Sequence, residues 1–195
     1  VEMAMPRYSY YLYAVPISSQ WLDYLSDQKA FLQALPQTLR EQVLLRLFHN
    51  DYGWDQFDRW EGQMPEIRLD TGQQDIYKLI EKSRLYISTY NATTYLETLT
   101  CNIPSIIFWN PEHWELKTEV KPYFELLQSV GIFHKTPESA AQQMTEVWDD
   151  VSAWWDSSEV QDARKLFCKQ FARIPSNPIG DLRSIFQGVA NDYDL

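Results

Sequence analysis

Glycine is scarce, at six residues in 195, and no glycine-rich nucleotide loop is present. The nucleophile elbow and the paired-histidine metalloprotease helix are missing too. Only two cysteines occur, Cys101 and Cys168, too few and too far apart for a disulfide framework or a zinc knuckle. They read as buried thiols of a reducing compartment. His113 and His134 stand alone, without neighbours at metal-ligand spacing, so no metal and no cofactor is implied. No apolar run approaches the roughly 18 residues that a membrane span needs, and no basic-then-apolar leader opens the chain. Positive charge is in deficit: 17 Lys and Arg against 27 Asp and Glu leave a net charge of -10. A polyanion needs a basic face, so nucleic acid is excluded as a partner. A single small anion is not, because local amides and one or two arginines can hold it.

What is abundant is aromatic: eight Trp, twelve Tyr and nine Phe. They can fill one sizeable core, and any left at the surface suit docking to a partner. We read residues 1–195 as one domain with a helical extension over about 137–190. The opening Val1-Glu2-Met3 suggests a piece of a longer protein.

Residues Tyr8 to Val15, between Pro6 and Pro16, are either an extended segment or a loop packed on the core. Ser18-Ser19 cap a helix over about 20–35, with Trp21, Leu22, Leu25, Phe31, Leu32 and Leu35 at helical spacing. The unalternated run 42–48 suits a strand buried on both faces. Residues 51–64 are charged and carry Gly53 and Gly62, and read as a loop. Further strands are expected at 67–69, 85–88 and 105–109, and Gly131 is followed by a short apolar pair, Ile132-Phe133. Helices are expected from Thr71 or Gly72 to Lys82, over 93–100 and 116–129, and from Pro137 to about Phe171 with a break near Ser157-Ser158. A last short helix is expected over 181–189. Strands alternating with helices imply a parallel sheet with helices on both faces, a Rossmann-like α/β fold. Right-handed crossovers then bring the carboxyl ends of the strands to one edge, where such folds bind ligands.

Two segments reach that edge with useful chemistry. A strand ending at Ile87 delivers Ser88, Thr89, Tyr90 and Asn91, and a helix starts within Asn91–Thr94. Its free amides, with the hydroxyls of Ser88, Thr89, Thr93 and Thr94, form a plausible phosphate cradle. Alternatively, Asn91 or Thr93 is simply a helix cap and the hydroxyls satisfy the loop backbone. Glu97, one turn on, either accepts ribose hydroxyls or is a solvated helix residue. After the earlier strand, Arg46 and His49 either meet a phosphate or serve as an ion-pair partner and a turn residue. The run Trp148 to Asp156 reads as an acidic face with its Trp residues packed inward.

The string Ser83 to Leu99, followed by Asn102-Ile103-Pro104, resembles a family of bacterial transferases associated with surface-polysaccharide biosynthesis. The likeness extends to Pro6-Arg7-Tyr8, Arg46 to Trp54, Gly131 to His134 and Trp154-Trp155. More distantly, the strand, hydroxyl-rich turn and Glu-bearing helix resemble the carboxyl-terminal domain of GT-B glycosyltransferases and the polyglycerophosphate transferases of teichoic-acid synthesis. Tyr90-Asn91-Ala92 stand where many GT-B enzymes have a glycine-rich turn. The resemblance implies a donor-binding domain for a nucleotide-activated sugar, with Ser88, Thr89, Asn91, Thr93 and Thr94 at the diphosphate. Glu97 falls at the ribose and Arg46 or His49 near the phosphates. It also implies a separate amino-terminal acceptor domain and a cytoplasmic location, or one peripheral to the inner face of the membrane. The competing reading is a non-catalytic interaction or scaffold domain that keeps the fold without the nucleotide.

Overall fold

A computed structural model describes residues 1–8 and 18–192; most of the ambiguous segment after Tyr8 lies outside them. The chain is a mixed α/β protein with two small parallel sheets. In one, β1 (Leu44–Arg46) pairs with β2 (Arg68–Asp70), Leu44 opposite Arg68 and Arg46 opposite Asp70. In the other, β3 (Tyr86–Ser88), β4 (Ser105–Phe108) and β5 (Phe133–His134) lie in that order, all parallel. All four residues of β4 are buried, so both of its faces are covered, as an unbroken apolar run requires. Its one polar member, Ser105, donates to Ile103 O at 2.7 Å.

The two sheets are joined by the first residues of the chain. Val1 N donates to Ile87 O of β3 at 3.1 Å, and Glu2 N donates to Arg46 O of β1 at 2.9 Å. Farther along, Trp54 Nε1 donates to Met5 O at 2.7 Å and Arg7 N to Tyr52 O at 3.2 Å. The segment therefore advances alongside β1 toward its carboxyl end. The spatial order becomes β2, β1, residues 1–3, β3, β4, β5. Glu2 is carried into the interior, where both carboxylate oxygens accept from Trp60 Nε1 at 3.1 Å.

Helices α1 (Trp21–Ala34) and α2 (Gln37–Arg40) precede β1. The spacing of Trp21, Tyr24, Leu25, Gln28, Phe31 and Leu32 puts all six on the buried stripe of α1. α3 (Gln56–Gln63) and α4 (Ile76–Lys82) follow β1 and β2, α5 (Thr94–Thr100) links β3 to β4, and α6 (Lys121–Ser129) links β4 to β5. Then come α7 (Pro137–Val147), α8 (Val151–Trp155), α9 (Ser158–Phe171) and α10 (Pro178–Asp192). α1 packs on α7, whose Ala140 and Ala141 permit close approach, while α9 packs on α5 and α6. Arg164 of α9 donates to Leu99 O at 2.7 Å, a carbonyl at the end of α5 that also accepts from Asn102 N at 3.2 Å.

Several expectations need correction. The 51–64 segment is not all loop, because α3 occupies most of it. Asp51 accepts from the amides of Gly53, Asp55 and Gln56, organising the turn before the helix, and Trp60 is its buried anchor. α4 starts later than expected, at Ile76, because Asp75 accepts from Tyr77 N and Lys78 N. α6 starts at Lys121, with Pro122 in its first turn, where a missing N–H costs nothing. The expected break falls at Ser157, which caps α9. Cys101 is exposed and Cys168 only half-buried, not the buried pair expected. The Trp residues pack inward: none of the eight is exposed, and Trp148 and Trp154 are half-buried.

Candidate functional site

Between β3 and α5 the chain makes the hydroxyl-rich turn. Ser88 and Thr89 are buried, Tyr90 and Thr94 half-buried, and Asn91 and Thr93 exposed. The Thr89 hydroxyl donates to Val1 O at 2.8 Å and contacts the Tyr24 hydroxyl at 2.8 Å. Tyr24 also accepts from Met3 N at 3.1 Å. Thr89 thus ties the turn to the segment that joins the sheets. Ser88 Oγ donates to Tyr90 O at 3.3 Å. Asn91 Oδ1 accepts from the Tyr95 hydroxyl at 3.0 Å, so it does not cap α5, and Thr93 makes no side-chain cap either. Neither side chain caps the helix, but the other half of that alternative holds: the Ser88 and Thr89 hydroxyls satisfy backbone carbonyls.

Glu97 is exposed, and its carboxylate accepts from the Tyr77 hydroxyl of α4 at 3.3 Å. Nothing local to either residue signals this pairing, which the sequence reading missed. Arg46, at the end of β1, is half-buried and firmly engaged. It donates to Asp70 at 2.6 Å, to Gln74 O at 2.7 Å and to Gly72 O at 3.4 Å. These bonds hold the loop after β2 against the end of β1. Burial pushes the Tyr90 hydroxyl pKa up, with a bond to Thr94 and the Arg46 charge opposing it. Arg46 therefore acts electrostatically on the turn while its donors serve the loop. His49 is exposed, its ring 4.5 Å from that of Phe48, and is not drawn to the turn.

Gly72 fixes this arrangement. Its φ is +80°, and a Cβ there would stand 2.9 Å from His49 Cα. Gly72→Ala should cost about 1–2 kcal/mol for the left-handed backbone alone, with the clash added. Urea unfolding measures it, and unchanged stability would mean that the two loops are not in this contact.

Elsewhere, His134 is buried between Ser139 Oγ at 3.1 Å and Gly131 O at 3.0 Å, with burial lowering its pKa. His113 is also buried. No group of three His, Cys, Asp or Glu able to hold a metal occurs among the described residues. A cavity of about 460 Å³ opens in the gap between β1, β3 and α4, touching Arg46 and Thr89 but not Ser88, Asn91 or Glu97. It is distinct from the turn's exposed side.

A family model described as LIC12162 family transferase matches residues 1–186. The chain belongs to the LIC12162 transferase family. No curated protein and no solved structure matches. The part shared with LIC12162 transferases takes in both sheets, the 88–94 turn and Glu97, and runs into α10. The family is described as one of transferases, and no helix among the described residues is long and apolar enough to cross a membrane.

Proposed function

We propose that this chain is the donor-binding half of a GT-B-type transferase that builds cell-surface polysaccharide, and that its donor is a nucleotide-activated sugar. The observation that carries this is the spatial order β2, β1, residues 1–3, β3, β4, β5. If residues 1–3, which form no strand but hold one backbone bond to each sheet, are counted as the first position, the order along the chain is 3-2-1-4-5-6, that of Rossmann-like folds, which bind nucleotides where the order reverses. Here the reversal lies between residues 1–3 and β3, and the turn that leaves β3 bears Ser88, Thr93 and Thr94. In this reading the turn meets the diphosphate, Glu97 and Tyr77 meet the ribose, and Arg46 supports the site by its charge. His49 stands at the outer edge of the same end. The acceptor and the catalytic base belong to a second domain across a cleft, and the protein works in the cytoplasm or at the inner membrane face.

Glu97 and Thr93 are exposed, so their removal leaves the fold intact. Glu97→Ala with Thr93→Ala should weaken binding of the cognate nucleotide sugar by roughly 10- to 100-fold, the loss of one or two hydrogen bonds involving charge. Isothermal titration measures it; an unchanged Kd at an unchanged melting point would reject the site.

One observation favours the alternative of an interaction module. α10 leaves Ile179, Leu182, Ile185 and Phe186 exposed, an apolar side of the kind that partners cover.

A further inference from the structure

The donor reading leaves unexplained an aromatic pocket of about 370 Å³ at the carboxyl ends of β4 and β5. Its floor is made by Trp109, Trp114, Phe124 and Phe133, all buried. Trp109 packs on Phe133 with ring centroids 4.7 Å apart and on Phe124 at 5.4 Å. The rim carries Lys121, Lys135, Glu115 and Glu125, all exposed. No ion pair among the described residues engages these four.

The indole N–H groups of Trp109 and Trp114 are buried without a hydrogen-bond partner. That is unusual both in general and within this chain. Trp21, Trp54, Trp60, Trp154 and Trp155 each donate to an acceptor. The two buried indoles left without one are the two that line the pocket.

Two buried tyrosines connect the pocket floor to the hydroxyl-rich turn. Trp109 lies 5.8 Å from the Tyr95 ring, and the Tyr95 hydroxyl donates to Asn91. Trp114 lies 5.8 Å from Tyr24, whose hydroxyl contacts Thr89. Glu97, by contrast, is turned to Tyr77 of α4. A ligand whose anionic centre sits at the turn has its two ends separated in this way, one toward Glu97 and the other toward the aromatic floor.

We infer that the pocket formed by Trp109, Trp114, Phe124 and Phe133 binds a pyranose ring, the group that the donor gives up; this rests on the donor reading above. The chemistry matches on three sides. An apolar C–H face covers the aromatic floor. The orphaned indole N–H groups, closed off from solvent in the free chain, gain hydroxyl acceptors as the rings turn toward the ligand. A perimeter of hydroxyls, each both donor and acceptor, meets a rim of two ammonium and two carboxylate groups. Those rim charges cancel, so the pocket selects a neutral polyol over a phosphate. The volume lies within the range of small-molecule sites.

Saturation-transfer NMR on the purified chain tests this, with methyl glycosides of glucose, galactose, mannose and N-acetylglucosamine as probes. Uridine, cytidine and guanosine form a second arm. At least one glycoside should receive saturation at its ring protons. Glu125→Gln with Lys135→Met, both at the exposed rim, should reduce that signal at least fivefold at an unchanged melting point, and Glu97→Ala should leave it unaltered. The inference is overturned if no glycoside is saturated, if the signal survives the rim variant, or if the rim variant removes a nucleoside signal instead. Nucleoside saturation sensitive to Glu97→Ala without any glycoside signal would reject the pocket and keep the donor reading. Glycoside saturation without any nucleoside signal would do the reverse.

Discussion

Trp60→Phe should destabilise the protein by about 1–3 kcal/mol, and more at pH 8 than at pH 5. Trp60 is fully buried, and among the described residues its indole N–H is the one hydrogen-bond donor to the carboxylate of Glu2, itself in the interior. Phe fills most of the space but leaves that carboxylate without a partner. Because the lost bond favours the charged form, the penalty grows as Glu2 ionises. Trp60→Ala adds a large cavity and should cost about 3–5 kcal/mol. Denaturant unfolding at the two pH values provides the comparison. Equal losses at both would mean that the Trp60 N–H does not serve an ionising Glu2.

Glu2 itself should make stability fall with pH between about 4.5 and 7. Burial raises its pKa from 4.5 to about 7, with the Trp60 bond opposing the rise. Between those values the folded chain keeps a proton that the unfolded chain has released. The Glu2 contribution therefore falls as pH rises through this window, while burial of the Val1 ammonium, which lowers its pKa from 8.0 to about 6, acts in the opposite sense between pH 6 and 8. At about 1.4 kcal/mol per pH unit, the contribution is about 3 kcal/mol. Glu2→Gln retains an acceptor for Trp60 and cannot ionise. It should be more stable than the native chain at pH 8, and the two should converge below pH 4.5. Parallel stability curves for the two proteins would refute this.

These effects matter because Val1 to Met3 join the sheets, and that junction was the least legible feature of the sequence. Three residues give no strand period, and Glu2 breaks the rule that charges stay outside. The strands, by contrast, were readable: runs such as Ser105–Phe108 are short, apolar and bounded by Pro104. α1 showed its helical stripe. α3 did not, because its surface carries Asp58, Arg59 and Glu61 and its turn is organised by Asp51, four residues before the helix cap. The 88–94 turn was legible as a strand-to-helix junction, since its position depends on local order alone. The partners of its neighbours were not. Arg46 finds Asp70 at a separation of 24 residues, Glu97 finds Tyr77 at 20, and Tyr24 reaches Thr89 at 65. Such pairings arise from the crossovers, which no local pattern encodes.

The donor claim is tested most directly by melting the chain in the presence of UDP-, GDP-, CDP- and CMP-linked sugars. A ligand held only by the native state, at 100 times its Kd, adds about 2.7 kcal/mol. For a chain of this size that corresponds to a rise of about 5–10 °C. We expect one nucleotide class to produce such a rise, and Glu97→Ala with Thr93→Ala to abolish it. No shift with any of them would contradict the donor-binding account and leave the interaction module in its place.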